Sequence, residues 1–520
     1  MKPRSFALIL LLVGAGALAF RLPRLDDRPM HADESVHAVR FRDLWQRGRY
    51  AYDPNEFHGP TLVYATLPSA WLGRAETFAE TSEATYRIVP VVFGAGVVLL
   101  VWLLGDAVGR SAAVCAAVLT AVSPAMVYYS RYYIHETLLV FFTLAAIGAG
   151  WRYLRSGRLG WCLAAGVSVG LMQATKETSV IVYFAASVAL AAAWLWARRM
   201  GESPLEGRAC ARSWHLGLGL GAAVIAAAIL YSSFFTNSRG LLDAARTYLP
   251  WLGRAGGASP HIHPWYEYLH RLGYWRFGDG PPWSEGLVLT LALAGVVFAL
   301  LPGKTAKSDA NVSFVRWLAF YTLALTAVYS AIPYKTPWCA LGFLHGMIML
   351  AGFGAAAMVR AVPTTGLRIL IVLLLLAATG QLAWQAYRAS HVFPADPRNP
   401  YVYAHTSTDI ARLVQDVEEL AKASPEGRQV SVKVIWNDAY YWPLPWCLRR
   451  LARTELWTKL PADPGSPLVI ASPQYDAALT EELDPTHLMT GYYEVRPQVL
   501  AQLWVRMDLW EAHLKQLGKL

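Results

Sequence analysis

The sequence has 520 residues, of which 55% are hydrophobic and 16% are charged, and its formal net charge is +10. A soluble globular domain carries roughly 25% charged residues, so this composition excludes an ordinary soluble protein and indicates a polytopic α-helical membrane protein. The basic residues are spread over short loops and follow a membrane topology, so we expect no nucleic acid partner.

Eleven apolar runs reach or nearly reach the roughly 20 residues that a bilayer-spanning helix needs. All of them lie in the first 390 residues, which we interpret as one transmembrane domain, 1–390, with two long external loops, 21–87 and 236–285. The predicted spans are approximately 5–20, 88–105, 111–127, 136–154, 159–175, 178–197, 214–235, 286–302, 316–331, 339–359 and 367–387.

The short loops on one side of these spans are all basic, as the positive-inside rule requires of a cytoplasmic face. With the N-terminus inside, the inside loops carry Arg110, Arg152, Arg155, Arg158, Arg198, Arg199, Arg208, Arg212, Lys304, Lys307, Arg360 and Arg368. The odd number of spans then places the C-terminal segment outside. We therefore predict a multi-pass protein of the plasma (inner) membrane whose C-terminal domain lies on the external, periplasmic side.

The last segment, 391–520, has the composition of a small soluble α/β domain. A helix pattern with apolar residues at Ile410, Leu413, Val417 and Leu420 is followed by the strand-like "QVSVKVIW" and "SPLVIAS". The later stretch "VLAQLWVRM" fits a helix or a strand. No phosphate-binding loop and no serine nucleophile motif occurs in the chain, so neither nucleotide binding nor serine hydrolase chemistry has motif support.

Four clusters of ionisable side chains lie between spans, and the topology places all four on the external face. Taken singly, each could be a charged helix face, an interfacial anchor or a polar turn. Ionisable groups at the border of a membrane are costly, however, so four clusters on one side predict a functional site. The clusters contain Asp33, Glu34 and His37 with His58 in the same loop; Arg131, His135 and Glu136; Lys176 and Glu177; and Lys335.

The chemistry of these side chains favours transfer from a lipid phosphate. Carboxylates can deprotonate a hydroxyl or hold a divalent cation, whereas arginine and lysine neutralise phosphate oxygens. A sugar carried on a polyprenyl phosphate in the lipid bilayer is such a donor, and the acceptor would be a glycan, a lipid or a protein. We predict catalytic roles for Asp33, Glu34 and Glu136, donor phosphate binding by Arg131, Lys176 and Lys335, and substrate binding by His37, His58, His135 and Glu177.

Within the acidic pair we favour Asp33 as the general base, because a helix from Ala32 would place it on one face with His37 and Arg40. Glu34 would orient a partner or be solvated. Mg²⁺ or Mn²⁺ is the cofactor that the carboxylates could hold, with Asp33 and Glu136 as its ligands. The aromatic segment 248–283 fits a sugar platform or a membrane-interface belt.

The motifs "HADESVHAVRFRDL", "FHGPTLVY", "RYYIHETLLVFF" and "TKETSVI" are similar to those of the GT-C membrane glycosyltransferases. These include dolichyl-phosphate-mannose protein mannosyltransferases and bacterial lipid A aminoarabinose transferases, and the likeness is greatest to the subfamily described as flippase activity-associated. The resemblance covers roughly residues 1–390. It implies an inverting hexosyltransferase in which Asp33 is the base or a metal ligand and Glu136 is the second acid. The element His58-Gly59-Pro60 departs from the doubled proline of the named families, so acceptor specificity does not carry over.

Two other functions fit the same pattern. The chain could be a transporter or flippase component for lipid-linked sugars, although its polar groups gather on one face, whereas alternating access needs a polar path to both. It could also be a non-catalytic scaffold whose external domain binds a glycosylation enzyme.

Overall fold

The computed structural model describes residues 1–55, 58–201, 212–257, 261–301, 309–437 and 441–520. Of the residues considered above, Arg208, Lys304 and Lys307 lie outside these ranges.

Helices make up the first three quarters of the chain. Up to residue 201 they are α1 (Pro3–Arg21), α2 (Ala32–Arg47), α3 (Thr61–Ala65), α4 (Leu67–Leu72), α5 (Glu83–Leu100), α6 (Arg110–Val122), α7 (Pro124–Tyr129), α8 (Glu136–Ser156), α9 (Leu159–Thr175) and α10 (Ser179–Arg199). They continue with α11 (Ser213–Tyr231), α12 (Gly240–Arg246), α13 (Tyr248–Ala255), α14 (Glu267–Gly273), α15 (Gly286–Leu300), α16 (Val312–Ala331), α17 (Leu341–Ala361) and α18 (Thr365–Tyr387). A π-helical turn, Arg388–Val392, extends α18.

Every predicted apolar run coincides with one of these helices, so the predicted polytopic helical class is confirmed. Among the described residues, eight helices are long and apolar enough to cross a membrane: α1, α5, α8, α10, α11, α16, α17 and α18. Three further apolar helices, α6, α9 and α15, are shorter than 18 residues. A total of eleven spans therefore stays a prediction.

Small residues bring the spanning helices into close contact. Helix α17 lies at the centre of the bundle and packs against α6, α15 and α16, whereas α18 lies at its edge. A Cβ atom on Gly354 of α17 would stand 2.1 Å from the carbonyl oxygen of Leu291 in α15. Only glycine permits this distance between two backbones, which is the usual way in which membrane helices gain packing contacts.

Helix α2 is packed on both sides and is not open to a membrane surface. Its N-terminus is closed by a capping box, in which the His31 ring accepts the Asp33 N–H and the Glu34 carboxylate accepts the His31 N–H. Phe41 on its apolar face is fully buried. On its other side the Ser35 hydroxyl donates to a carbonyl oxygen of the C-terminal domain. The helix is therefore enclosed between the bundle and that domain.

The C-terminal segment forms the predicted α/β domain around a five-stranded mixed sheet. Its elements are α19 (Ile410–Ala423), β1 (Ser431–Ile435), α20 (Leu444–Cys447), β2 (Arg453–Trp457), β3 (Leu468–Ala471), α21 (Asp476–Leu483), β4 (His487–Arg496), β5 (Val499–Arg506) and α22 (Met507–Gln516). The strand order is β2-β1-β3-β5-β4, with β1 parallel to β2 and β3, and β5 antiparallel to β3 and β4. The two predicted strands are β1 and β3, and the ambiguous stretch is the strand β5.

The chain between α18 and α19 is packed against the bundle. The Tyr129 hydroxyl donates to the carbonyl oxygen of Tyr401 at 2.8 Å, and the His31 ring donates to that of Tyr403 at 2.9 Å. The apolar core of the sheet domain begins at Ile410. This connecting segment therefore holds the start of α2 in place and contacts the end of the bundle at α7.

Candidate active site

A polar cavity of about 180 Å³ opens at the end of the bundle that is covered by α2 and α13. It gathers side chains from five separate parts of the chain. The wall contains Asp33, Val36 and His37 of α2, His58, Ile134, Glu136, Lys176, Glu177, Trp251 and Arg254 of α13, Tyr334, Thr336, Trp338 and Cys339, among others. Three of the four predicted clusters therefore meet here, and the fourth contributes only the neighbours of Lys335.

Asp33 is half-buried at the wall of this cavity. Its backbone N–H caps the helix, but its carboxylate has no hydrogen-bond or ion-pair partner among the residues that the structure describes. One turn further along the same face, His37 also lines the cavity. The predicted placement of Asp33 and His37 on one face of a helix is confirmed, and Asp33 offers a carboxylate that is free to contact a ligand.

Glu136 and Lys176 form a buried ion pair across the cavity, between the first residue of α8 and the residue that follows α9. Burial lowers the pKa of Lys176, but the facing carboxylate outweighs it and holds the pKa well above its usual value. Lys176 is therefore a permanent cation at the border of the membrane. Because Glu136 neutralises it, Glu136 is positioned as a partner of Lys176 rather than as an independent base.

Glu177, which follows Lys176 in the turn between α9 and α10, is paired with His58. The imidazole Nδ1–H donates to the two carboxylate oxygens at 2.8 and 3.0 Å, and the pKa of Glu177 is lowered by this contact in spite of burial. Gly59 follows, and its N–H donates to the carbonyl oxygen of Thr175 at 3.1 Å. A Cβ on Gly59 would stand 2.1 Å from the carbonyl oxygen of Ala174. Glycine is therefore required at position 59, where the loop between α2 and α3 contacts the end of α9.

Three histidine rings, those of His37, His58 and His135, lie close to one another, and His135 meets the other two edge to face. The centroids of His37 and His135 are 4.6 Å apart, and those of His58 and His135 are 5.2 Å apart. Burial and the neighbouring His58 lower the pKa of His37 to about 3. Burial and the neighbouring rings also hold the pKa of His135 well below its usual value. Both imidazoles are consequently neutral near pH 7.

His135 does not reach the cavity wall, contrary to its predicted substrate-binding role. Its Nε2–H donates to the carbonyl oxygen of Gly59 at 3.0 Å, behind His37 and His58. The His135 side chain therefore holds the loop between α2 and α3 in place.

Glu34 is buried on the opposite side of α2 from the cavity, and a catalytic role for it is not supported by its position. Its carboxylate accepts from Arg28, from Arg87 and from the N–H of Tyr133. These cations hold its pKa below the usual value although burial raises it. A helix turns 100° per residue, so adjacent positions Asp33 and Glu34 face different surroundings. The expectation that Glu34 orients a partner fits this arrangement, whereas solvation does not.

Arg131 was predicted to bind the donor phosphate, but the structure turns it away from the cavity. Its guanidinium donates to the carbonyl oxygens of Arg21, Pro23 and Arg24 beyond the end of α1. The turn that follows α7 separates Arg131 from Ile134, which does line the cavity.

Lys335 was also predicted to bind the donor phosphate, and it does not line the cavity either. It lies in an extended segment. Side chains of such a segment alternate between two sides, and Tyr334 and Thr336 face the cavity. Lys335 points the other way and donates to the carbonyl oxygens of Ile332 and His263.

Sequence analysis missed Arg254, the second cation of the cavity. It is exposed at the end of α13, where its guanidinium donates to the carbonyl oxygen of Asn55 at 2.9 Å. Trp251, one turn earlier, lies in the same wall. The available signal was the aromatic segment 248–283, whose spacing of Trp251 and Arg254 by three residues puts both on one face of a helix.

The polar cavity continues into apolar space between the spanning helices. A cavity of about 40 Å³ shares Glu136, Lys176, Trp338 and Cys339 with it and reaches Tyr321 on α16. From there an apolar cavity of about 590 Å³ extends between α8, α9, α10 and α16. The site therefore has a charged end at the polar cavity and an apolar end between the spanning helices.

The donor set does not fit a tightly held divalent cation. Glu136 is held by Lys176 and Glu177 by His58, so among the described residues of the cavity wall Asp33 is the one carboxylate without a partner. Within the described ranges there is no group of three or more His, Cys, Asp or Glu side chains that could hold a metal ion.

The family model described as dolichyl-phosphate-mannose-protein mannosyltransferase matches residues 70–209, the part of the chain that contains Glu136 and Lys176. No curated protein sequence matches the chain. Among solved structures, ArnT from Cupriavidus metallidurans bound to undecaprenyl phosphate superposes with a TM-score of 0.62 at 14% identity, over 95% of this chain and 97% of that chain. The chain has the GT-C fold.

The same GT-C fold extends to two structures of the Archaeoglobus fulgidus oligosaccharyltransferase. One, tethered with an acceptor peptide, gives a TM-score of 0.55 at 14% identity over 95% of this chain and 74% of that chain. The other, AglB in complex with an inhibitory peptide and a dolichol-phosphate, gives 0.54 at 13% identity over 91% and 70%. At such identities the likeness concerns the GT-C fold, so the chemistry of this chain has to be argued from its own residues.

Proposed function

We propose that this protein is an inverting membrane hexosyltransferase that moves a sugar from a polyprenyl-phosphate carrier to an acceptor, with Asp33 as the general base. The proposal depends on one arrangement above all: the unpartnered carboxylate of Asp33 lines the same cavity as the cations Lys176 and Arg254. A base and a phosphate-binding pair within one cavity are what such a transfer requires.

The shape of the site supports a lipid-linked donor. Lys176 lies where the polar cavity meets the apolar one, so a phosphate beside it could have its prenyl chain between α8, α10 and α16. Two structures with the same fold hold undecaprenyl phosphate and dolichol-phosphate. By extension from these two structures, we propose that a polyprenyl-phosphate donor binds in the cavity of this chain.

In the proposed reaction Asp33 takes the proton of an acceptor hydroxyl. The hydroxyl oxygen attacks the anomeric carbon, a new glycosidic bond forms on one face of the sugar, and the bond to the phosphate oxygen breaks on the other. The polyprenyl phosphate leaves with the electron pair, and Lys176 and Arg254 stabilise its charge. Neutral His37 and the His58–Glu177 pair border the space for the sugar and its acceptor.

The positive-inside rule supports an external position for the cavity. Arg152 and Arg155 stand at the end of α8 that is opposite Glu136, and Arg198 and Arg199 end α10 on that same side. With that end in the cytoplasm, the cavity and the C-terminal domain lie on the external side of the plasma membrane. The acceptor is then an external glycan, lipid or protein, and the acceptor peptide of the A. fulgidus enzyme is an example of the last.

The decisive experiment compares the purified wild type with Asp33→Asn on a panel of polyprenyl-phosphate sugars, with release of the polyprenyl phosphate as the readout. We expect the wild type to turn over at least one donor and Asp33→Asn to lose about 10²–10⁴-fold in rate, the range of a general base. Asp43→Asn, which removes a carboxylate from the same helix outside the cavity, is the matched control. Retained turnover in Asp33→Asn would remove Asp33 from the mechanism.

A further inference from the structure

A second polar cavity, of about 210 Å³, lies at the external end of the bundle on the far side of Glu34. It is bounded by the loop after α1, the start of α5, the end of α7 and the turn after α18. The lining includes Arg24, Arg28, Arg87, Arg131, Ser390 and His391. None of its lining residues belongs to the wall of the Asp33 cavity, so the two cavities are separate sites.

Positive charge exceeds negative charge in this second cavity. Arg24 pairs with Asp27, and Arg28 and Arg87 share the single carboxylate of Glu34. Arg131, by contrast, donates only to neutral carbonyl oxygens.

Arg21 is a further buried guanidinium beside this cavity. It donates to the Ser130 hydroxyl and to backbone carbonyls. Neither Arg21 nor Arg131 forms an ion pair with any residue that the structure describes. Burial and the neighbouring Arg28 and Arg87 lower the pKa of Arg131 to about 10. An anion in the cavity would relieve that repulsion.

Ser390 supplies an independent sign of a ligand. Its side chain is 5% exposed, lines the cavity, and its hydroxyl oxygen has no hydrogen-bond partner among the described residues. A buried hydroxyl left without a partner costs free energy, so such groups are rare unless a ligand or water satisfies them. Ser390 also lies in the π-helical turn Arg388–Val392. Turns of this kind in helices are frequent at functional sites.

The position of the cavity suits the headgroup of a lipid. Helices α1 and α18, whose external ends form part of its border, both lie at the edge of the bundle and expose leucine side chains along their length. A lipid lying between them would bring its headgroup to the arginines.

We propose that this arginine cavity binds a phosphate monoester group, with an anionic phospholipid of the external leaflet as its source. Arg24 and Arg131 contact the phosphate oxygens, and the Ser390 hydroxyl donates to one of them. The arginine cavity is separate from the proposed donor site, so this proposal does not depend on the proposed transferase activity. Because Arg28 and Arg87 border the cavity and also hold Glu34, the bound group would stabilise the start of α2.

The test uses the full chain in detergent and native mass spectrometry. Its probes are phosphatidic acid and diacylglycerol with the same acyl chains, which differ only in the phosphate. We expect phosphatidic acid to bind about tenfold more tightly. Arg24→Gln, Arg131→Gln and Ser390→Ala should each remove much of this preference. Arg47→Gln, another exposed arginine that pairs with an aspartate of its own segment, and Arg254→Gln in the other cavity should retain it.

A parallel measurement with inorganic phosphate identifies the source of the group. If millimolar phosphate raises the thermal midpoint relative to chloride at equal ionic strength and displaces phosphatidic acid, the site accepts free phosphate as well; if it does neither, the headgroup is the ligand. Equal binding of the two lipids would overturn the proposal. So would unchanged binding in Arg24→Gln and Ser390→Ala, which decide the question even where Arg131→Gln fails to fold.

Discussion

Glu34 and Arg87 form a bidentate ion pair, with 2.9 Å from Nε to one carboxylate oxygen and 2.9 Å from Nη2 to the other, and both side chains are buried. The pair joins the first turn of α2 to the first turn of α5. Asp33, one residue earlier, makes no such contact and faces the Asp33 cavity. Of these two adjacent acids, one is therefore held in a buried ion pair and the other faces a cavity.

This relationship predicts opposite effects of two conservative substitutions. Glu34→Gln leaves Arg28 and Arg87 without a buried counter-charge and should lower the free energy of unfolding by about 3–5 kcal/mol. Asp33→Asn should leave stability within about 1 kcal/mol, because its carboxylate has no partner to lose. The thermal midpoint and the monodispersity of the purified variants report the difference. A Glu34→Gln protein that is fully stable but inactive would instead assign the base to Glu34.

A double-variant cycle can separate what the Lys176–Glu136 pair contributes to stability from what it contributes to turnover. Lys176→Met or Glu136→Gln alone leaves one buried charge unpaired and should destabilise by about 3–5 kcal/mol, whereas the double variant removes both charges and should recover much of that loss. Turnover should stay low in the double variant, since the phosphate has lost its cation. The measurements are the thermal midpoint, the donor KM and the kcat of the wild type, the two single variants and the double variant. Full donor affinity in the double variant would exclude Lys176 as a phosphate ligand.

Gly59→Ala should disrupt the site without changing any polar group. The added methyl group would overlap the carbonyl oxygen of Ala174, so the loop has to move away from α9 and take His58 from Glu177. We expect a loss of roughly 1–3 kcal/mol, as for other overpacked positions, and a fall in turnover. Gly217→Ala, where the methyl group meets open space, is the control and should behave as the wild type. An active, stable Gly59→Ala protein would show that this contact is not needed.

The buried histidines predict acid sensitivity. The pKa of His37 is about 3 in the folded protein and roughly 6.5 in an unfolded chain. Between these values the unfolded state binds the extra proton, so stability falls as the pH drops from about 6.5 towards 3, by up to roughly 1.4 kcal/mol per pH unit. His135, whose pKa is lowered in the same way, adds to the slope. His37→Gln should show a shallower decline of the thermal midpoint across this range, and an unchanged slope would contradict the assignment.

Chelation of divalent cations should not stop the reaction. In the proposed mechanism Lys176 and Arg254 supply the positive charge at the phosphate, and Glu136 is neutralised by Lys176, so the reaction would not require Mg²⁺ or Mn²⁺. Turnover measured in EDTA should match that measured with added Mg²⁺. Complete loss in EDTA with recovery on adding Mg²⁺ or Mn²⁺ would show that Asp33 holds a metal.

Local sequence patterns were sufficient for the apolar helices, for α2 and α19, for two strands and for the gathering of acids and cations at one end of the bundle. Strand β2 was not predicted, because four of its five side chains are exposed and it carries no apolar alternation. The cavity wall was predicted only in part. Arg131 and Lys335 belong to the right loops, but the direction of a side chain within a loop depends on the backbone around it.

By itself, the sequence determined the membrane-embedded helical class, the side on which the ionisable residues gather, and the face of α2 that Asp33 shares with His37. These properties follow from apolar length, loop charge and helical periodicity, all of which are local. Only the tertiary structure decided which charges are free to act. Glu34 is held by Arg87, Glu136 by Lys176 and Glu177 by His58, at separations of 53, 40 and 119 positions. Such pairs depend on how distant helices pack, and they leave Asp33 as the available carboxylate of the cavity.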